Sequence, residues 1–166
     1  LGSTVAIFAG SEPGSTMSYV YALGFTTIGA ALFALTRTHE KGRVPQEAII
    51  GIVYVVASAA AILVADRVPR GGEAIKDILV GSLLWVTWPA ILKMAGVYAA
   101  LGVFHFILRK RFLTISFEPE TALANGWSIR WWDFWFYLSF GVVITLSVPI
   151  AGVLLVFSFL VVPAAA

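Results

Sequence analysis

Residues 134–166 read FWFYLSFGVVITLSVPIAGVLLVFSFLVVPAAA, 33 consecutive positions without a charged side chain. Upstream stands a dense cationic turn, Arg109-Lys110-Arg111. A helix in a soluble core needs a polar face at helical spacing, and this run has none. A long apolar run behind basic residues belongs in a lipid bilayer, and the basic flank gives the chain a direction.

The rest of the sequence agrees. The chain is 60% hydrophobic and 12% charged, against about 25% charged in soluble domains. Further uncharged runs cover Pro13–Thr36, Ala48–Ala65, Ile78–Leu92 and Met94–Leu108, the last two separated by Lys93 alone. A hydrocarbon core of ~30 Å takes roughly 20 helical residues. The expectation is therefore one all-α transmembrane domain over 1–166, a polytopic helical bundle with spans near 17–36, 47–66, 88–108, 131–148 and 151–166. Lys93 lies about one turn inside its span and can snorkel. The final run divides near Pro149 and Gly152. The runs lack period-2 alternation, which argues against a β-barrel.

Charge placement orients the bundle. Arg37, Lys41 and Arg43 follow the first span, and Arg109, Lys110, Arg111 and Arg130 follow the third, so seven of the eleven basic residues fall on one side. The positive-inside rule makes that side cytoplasmic. Segment 66–87, where Arg67, Arg70 and Lys76 are balanced by Asp66, Glu73 and Asp77, then faces outward. Trp85 and Trp88 mark the outer interface, and Trp127, Trp131, Trp132 and Trp135 the inner one. The chain starts at Leu1 with no basic n-region and stops in Val-Pro-Ala-Ala-Ala, so both ends read as cuts inside a longer, multi-pass membrane protein. The bilayer accounts for the basic residues, and no nucleic-acid partner is expected.

Segment 109–130 reads as a cytoplasmic loop carrying a short helix. Pro119 fits its first position, Ser116 or Glu118 its cap, Glu120 its positive end and Gly126 its αL terminator. About seven helical residues are too few to stand alone in water. The segment is either a connector along the membrane surface or a docking helix for a cytoplasmic subunit.

Ligand chemistry is sparse. With no cysteine, a transition metal would have to use His or carboxylate. His39, beside Glu40, reads as a solvated loop residue. His105 is either a helix-packing imidazole or a pathway ligand. Glu73 and Asp77 share a helix face and either attract cations at the outer mouth or are simply solvated. Asp133 reads as a capping acid. Helix breakers at membrane depth are tolerated only beside protein or a water-filled cavity. The pathway is therefore expected near 145–163, lined by Thr145, Ser147, Pro149, Gly152, Ser158 and Pro163, with ordinary kinked packing as the other reading. Small residues at Gly24, Gly29 and Ala30, and at 57–61, offer close helix approach. No His-Glu-x-x-His, Gly-x-Ser-x-Gly or paired intramembrane carboxylate points to an embedded enzyme.

Three blocks carry a family resemblance: GRVPQEAIIGIVY (42–54), RFLTISFEPETALANG (111–126) and AGVLLVFSFLVVPAAA (151–166). In this order they resemble the permease subunit of the metal-ion ABC importers, the zinc, manganese and iron uptake group of ABC-3 type. The resemblance runs from about Pro45 to Ala166. The family's Ser-Phe-(Asp/Glu)-Pro-Glu-x-Ala-x-x-x-Gly is met with Glu118 in the acidic slot. Its Val-Gly-x-Leu-Leu-Val is met with Ala151 in place of Val. Its usual Gly-Asp-Ile-Leu reads Gly81-Ser82-Leu83-Leu84, which removes an acid near the outer mouth.

The resemblance implies a type II ABC-importer-like permease, of which this is a partial chain, in a bacterial inner membrane. It implies a homodimer or paired permease, a cytoplasmic ATP-binding subunit holding ATP and Mg2+, and an extracytoplasmic metal-binding protein. The chain itself would be non-catalytic, with no cofactor of its own and a divalent metal as cargo. Ser116, Phe117, Glu118, Pro119, Glu120, Thr121, Ala122 and Gly126 would dock the ATPase. A permease for a siderophore or cobalamin chelate, or a structural membrane subunit, stands as the alternative.

Overall fold

The computed structural model describes residues 1–12, 14–36, 45–69 and 71–165. His39 and the basic residues between the first two spans lie outside them. The described residues form α1 (Gly2–Phe8), α2 (Thr16–Thr36), α3 (Gln46–Asp66), α4 (Gly71–Val80), a 3-10 turn at Leu83–Trp85, α5 (Trp88–Phe117), α6 (Pro119–Ala124) and α7 (Ile129–Ala165). Four of these, α2, α3, α5 and α7, are long and apolar enough to cross a membrane. The molecule is an all-α transmembrane bundle. Its apolar side chains point largely outward, with Leu63 70% and Ile107 69% exposed. Lipid tails solvate such faces as well as a protein core does, so a bundle this open needs an apolar surround.

α2, α4 and α5 pack on α7, while α1 packs on α2 and α3. α2 lies along α7, with Ala30 and Ala34 buried. The Thr26 methyl fills the space that a Cβ at Gly141 would need. The close approach of α2 thus uses Ala30 and Ala34; Gly24 and Gly29 face open space. Across the same contact the hydroxyls of Thr26 and Thr145 are 2.8 Å apart. On another side α5 is joined by the Tyr98 and Ser147 hydroxyls at 2.7 Å. α3 is tied in at its first turn, where Gln46 Nε2–H donates to Tyr137 Oη at 2.8 Å.

One helix departs from the spans read off the sequence, and the last run breaks at Gly152. α5 has 30 residues and runs through the basic turn to Phe117. Nothing in 109–117 breaks a helix, and the residue before Pro119 is the first one driven out of the α region. Glu118 indeed sits at φ −133°, ψ 63°. Most of segment 109–130 is consequently helical. α7 runs for 37 residues, about 55 Å if straight, and is interrupted where Gly152 takes φ 77°, ψ 154°. Two helices meet at that break.

Candidate functional site

The first candidate is the short helix α6. Pro119 occupies its first turn, where a missing N–H costs nothing. Glu118 is the N-cap, yet no side chain caps the start, and Ser116 belongs to α5. Glu118 works through its backbone instead. Its N–H closes α5 on Thr114 O at 2.8 Å, and its carbonyl opens α6 by accepting from Ala122 N–H at 3.1 Å. One residue is the hinge between two helices.

The other end is a Schellman motif. Gly126 N–H donates to Leu123 O at 2.9 Å, and Trp127 N–H to Ala122 O at 3.0 Å. Gly126 holds the required left-handed backbone at φ 72°. The apolar contact that accompanies this motif is present, because Trp127 packs on a small core of Ile115, Ala122 and Ile129, joined by Trp132. Ala122 is fully buried while Phe117 is 80% and Leu123 55% exposed. Glu118, Glu120 and Thr121 are exposed beside them. α6 therefore anchors one face and presents the other. Arg111, on α5, lies over the rings of Trp127 and Trp132 at 5.6 and 5.0 Å.

The second candidate is the break in α7. Pro149 lacks an N–H, and the turn at Gly152 leaves the carbonyls before it without helical partners. Ser82 supplies them from the end of α4. Its N–H donates to Ile150 O at 2.9 Å, and its hydroxyl to Pro149 O at 3.2 Å. Such satisfaction is obligatory at membrane depth, where water is absent. Gly81, at φ 75°, and Gly152 let the two backbones touch. A Cβ on Gly152 would come within 2.5 Å of Leu79 O and collide with the Val80 backbone, and a Cβ on Gly81 would collide with that of Gly152.

The residues read as pathway-lining are spread along α7. Thr145 faces α2 and Ser147 faces α5 through the hydroxyl pairs above. Ser147 also donates to Val143 O at 2.8 Å. Ser158 donates to Leu154 O within its own helix at 2.8 Å and is exposed, as is Pro163. Pro149 and Gly152 form the break.

Between α5 and α7 lies an open cavity of about 290 Å³, lined by Tyr98, Leu101, His105, Ser139, Phe140 and Val143 among others. His105 Nδ1–H donates to Leu101 O at 3.0 Å, and Nε2 lies 3.2 Å from Ser139 Oγ. The imidazole stacks on Phe112 at 5.1 Å between centroids. Both ring nitrogens are thus engaged, Nδ1 within α5 and Nε2 across to α7. Glu73 and Asp77 are exposed on α4, and among the described residues no three His, Cys, Asp or Glu converge as a metal site. The structure does not bring His105 together with the α4 carboxylates.

Sequence reading missed Tyr98, Ser139 and Thr26, and saw Ser82 only as a missing acid. A signal existed for two of them. Tyr98 and His105 are seven apart on α5, Ser139 and Ser147 eight apart on α7, which places each pair on one helix face.

Comparison with known proteins places this geometry. A probable metal transport system membrane protein of Chlamydia pneumoniae is 28% identical over 141 residues, covering 83% of this chain and 48% of that protein. A manganese transport system membrane protein of Listeria innocua is 28% identical over 163 residues, 92% of this chain and 56% of that one. The chain thus spans about half the length of the relatives it matches. The fold resembles PsaBC from Streptococcus pneumoniae, with a TM-score of 0.72 at 21% identity over 99% of this chain and 56% of that one. The model of the ABC 3 transport family matches residues 2–166, and this multi-pass membrane chain belongs to that family.

Proposed function

We propose that this chain is the core of a membrane permease subunit in an ATP-driven importer of a divalent metal ion, zinc, manganese or iron. Relatives described as manganese transport membrane proteins favour manganese among the three. The reading is carried by α6, a helix of six residues locked by a Schellman motif, whose Glu120 and Leu123 are presented outward beside Phe117 at the end of α5. An apolar and acidic surface on so short an element has little use except as a contact for another subunit. That subunit is a cytoplasmic ATPase supplying ATP and Mg2+; the permease binds no cofactor and catalyses nothing itself.

Orientation follows charge: the α5–α7 junction faces the cytoplasm and the α4 region faces outward, toward an extracytoplasmic metal-binding protein. A second permease copy covers part of the exposed apolar surface. The pathway passes near the break in α7, whose carbonyls already accept from Ser82 and keep a second lone pair for a hard ion such as Mn2+. Glu73, Asp77 and His105 serve at most as weak way-stations, because a tight site within the pathway slows release.

The test is uptake of labelled manganese, zinc and iron by cells stripped of their own importers and supplied with the complete importer. ATP-dependent accumulation of one of these ions is expected. Failure of all three, with the permease inserted and its ATPase bound, overturns the reading.

A further inference from the structure

We propose that Arg111 is a positioning residue, whose guanidinium, laid over the Trp127 and Trp132 rings, locks the docking helix to the ends of α5 and α7 as one stiff joint. The inference rests on α6 being the ATPase contact.

A helix of six residues cannot hold its own shape. A push on α6 moves the spans only if the joint beneath it is stiff. The apolar part of that joint is small: Ile115 from α5, Ala122 from α6 and Ile129 from α7 are its buried members. Of these, Ala122 contributes one methyl group. What closes the joint is the pair of tryptophans, Trp127 after the Schellman turn and Trp132 in the first turn of α7. Both rings pack on that core, whose only side chain from α5 is Ile115. Arg111 adds a second tie from α5 that spans both rings, with its guanidinium carbon 5.6 Å from the Trp127 ring centre and 5.0 Å from that of Trp132. Phe112, its neighbour, meets Trp132 edge-on at 5.8 Å.

The basic turn is not uniform. Arg109 lies over Phe106 of its own helix at 4.8 Å, which joins nothing to α6. Lys110 is exposed and no aromatic contact accompanies it. Orientation in the membrane counts lysine and arginine alike, so topology does not ask for arginine at 111. Planarity does. A guanidinium stacks flat on aromatic faces and sheds its hydration readily, whereas an ammonium is a compact, strongly hydrated point charge. Each exposed cation–π contact is worth roughly a factor of two to five in the ratio of joined to open states, so two together raise that ratio about fivefold or more.

The experiment uses the complete importer in cells lacking their own. Arg111→Lys, Arg111→Ala and Lys110→Ala are compared for manganese uptake, membrane abundance and co-purified ATPase. Arg111→Ala is expected to lower the maximal uptake rate per bound ATPase roughly fivefold. The apparent KM for metal stays unchanged, because the ion path is untouched. Arg111→Lys keeps the charge, and so the insertion, and is expected to fall with Arg111→Ala. Lys110→Ala is expected to match wild type. Arg111→Lys at wild-type rate, or Arg111→Ala no worse than Lys110→Ala, overturns the clamp. Leu123→Asp on the exposed face of α6 separates this from the docking reading. If it leaves ATPase binding and uptake intact, α6 is not the contact; if it strips the ATPase while the Arg111 variants behave as wild type, the contact stands and the clamp alone fails.

Discussion

Replacing Gly152 by alanine tests the central joint of the fold. Gly152 holds φ 77°, ψ 154°, a region that residues with a Cβ avoid at a cost of about 1–3 kcal/mol. The new methyl would also reach the Leu79 carbonyl at 2.5 Å and collide with the backbone of Val80. Neither is a flexible side chain, so α4 has to retreat. Retreat separates Ser82 from Ile150 O and Pro149 O, held at 2.9 and 3.2 Å. A carbonyl left unpaired away from water costs about 1–3 kcal/mol on mutational scales. Strain and lost pairing together give about 2–6 kcal/mol, or roughly one and a half to four powers of ten in the folding equilibrium. The assay is equilibrium unfolding in mixed micelles. Gly81→Ala attacks the same contact from the other side and should cost a similar amount. The double variant should be far less destabilised than the sum, because either change alone already opens the joint. Ser82→Ala, which keeps the N–H bond and loses the hydroxyl, should cost only about 0.5–1 kcal/mol. A Gly152→Ala protein within about 0.5 kcal/mol of wild type, or strict additivity with Gly81→Ala, refutes the reasoning.

Gly126→Val has open space for its side chain, so the penalty is the left-handed backbone alone, about 1–2 kcal/mol; co-purification should show loss of the ATPase with membrane insertion unchanged. Thr121→Cys should be shielded from an impermeant thiol reagent in intact cells and Gly72→Cys labelled, and the reverse pattern would invert the orientation. Tyr98→Phe breaks the hydroxyl pair with Ser147 and should cost about 0.6 kcal/mol in unfolding assays. Abolished uptake at that small cost would assign Tyr98 to the ion path itself rather than to packing.

What the sequence determined by itself was set by solvent. Uncharged runs of span length, basic flanks and helix breakers each have a meaning in a bilayer independent of their neighbours, and they fixed an all-helical membrane bundle. Local punctuation was equally legible: Pro119 and Gly126 bracketed α6 because backbone φ preference is a property of single residues. The extent of α5 past Leu108 was also written there, in the absence of any breaker before Pro119, but the basic turn had been read as a boundary. Contacts between elements were different. That α4 turns back to cap the break in α7, that Gly81 and Gly152 meet, and that Thr145 and Ser147 face α2 and α5 depend on pairs of residues 49 to 119 positions apart. Apolar stripes around a membrane helix are nearly uniform, so hydropathy carries no sign of which face meets which neighbour. Only the packed structure decided it, through steric fit between small residues and the need to satisfy each freed carbonyl where there is no water to do so.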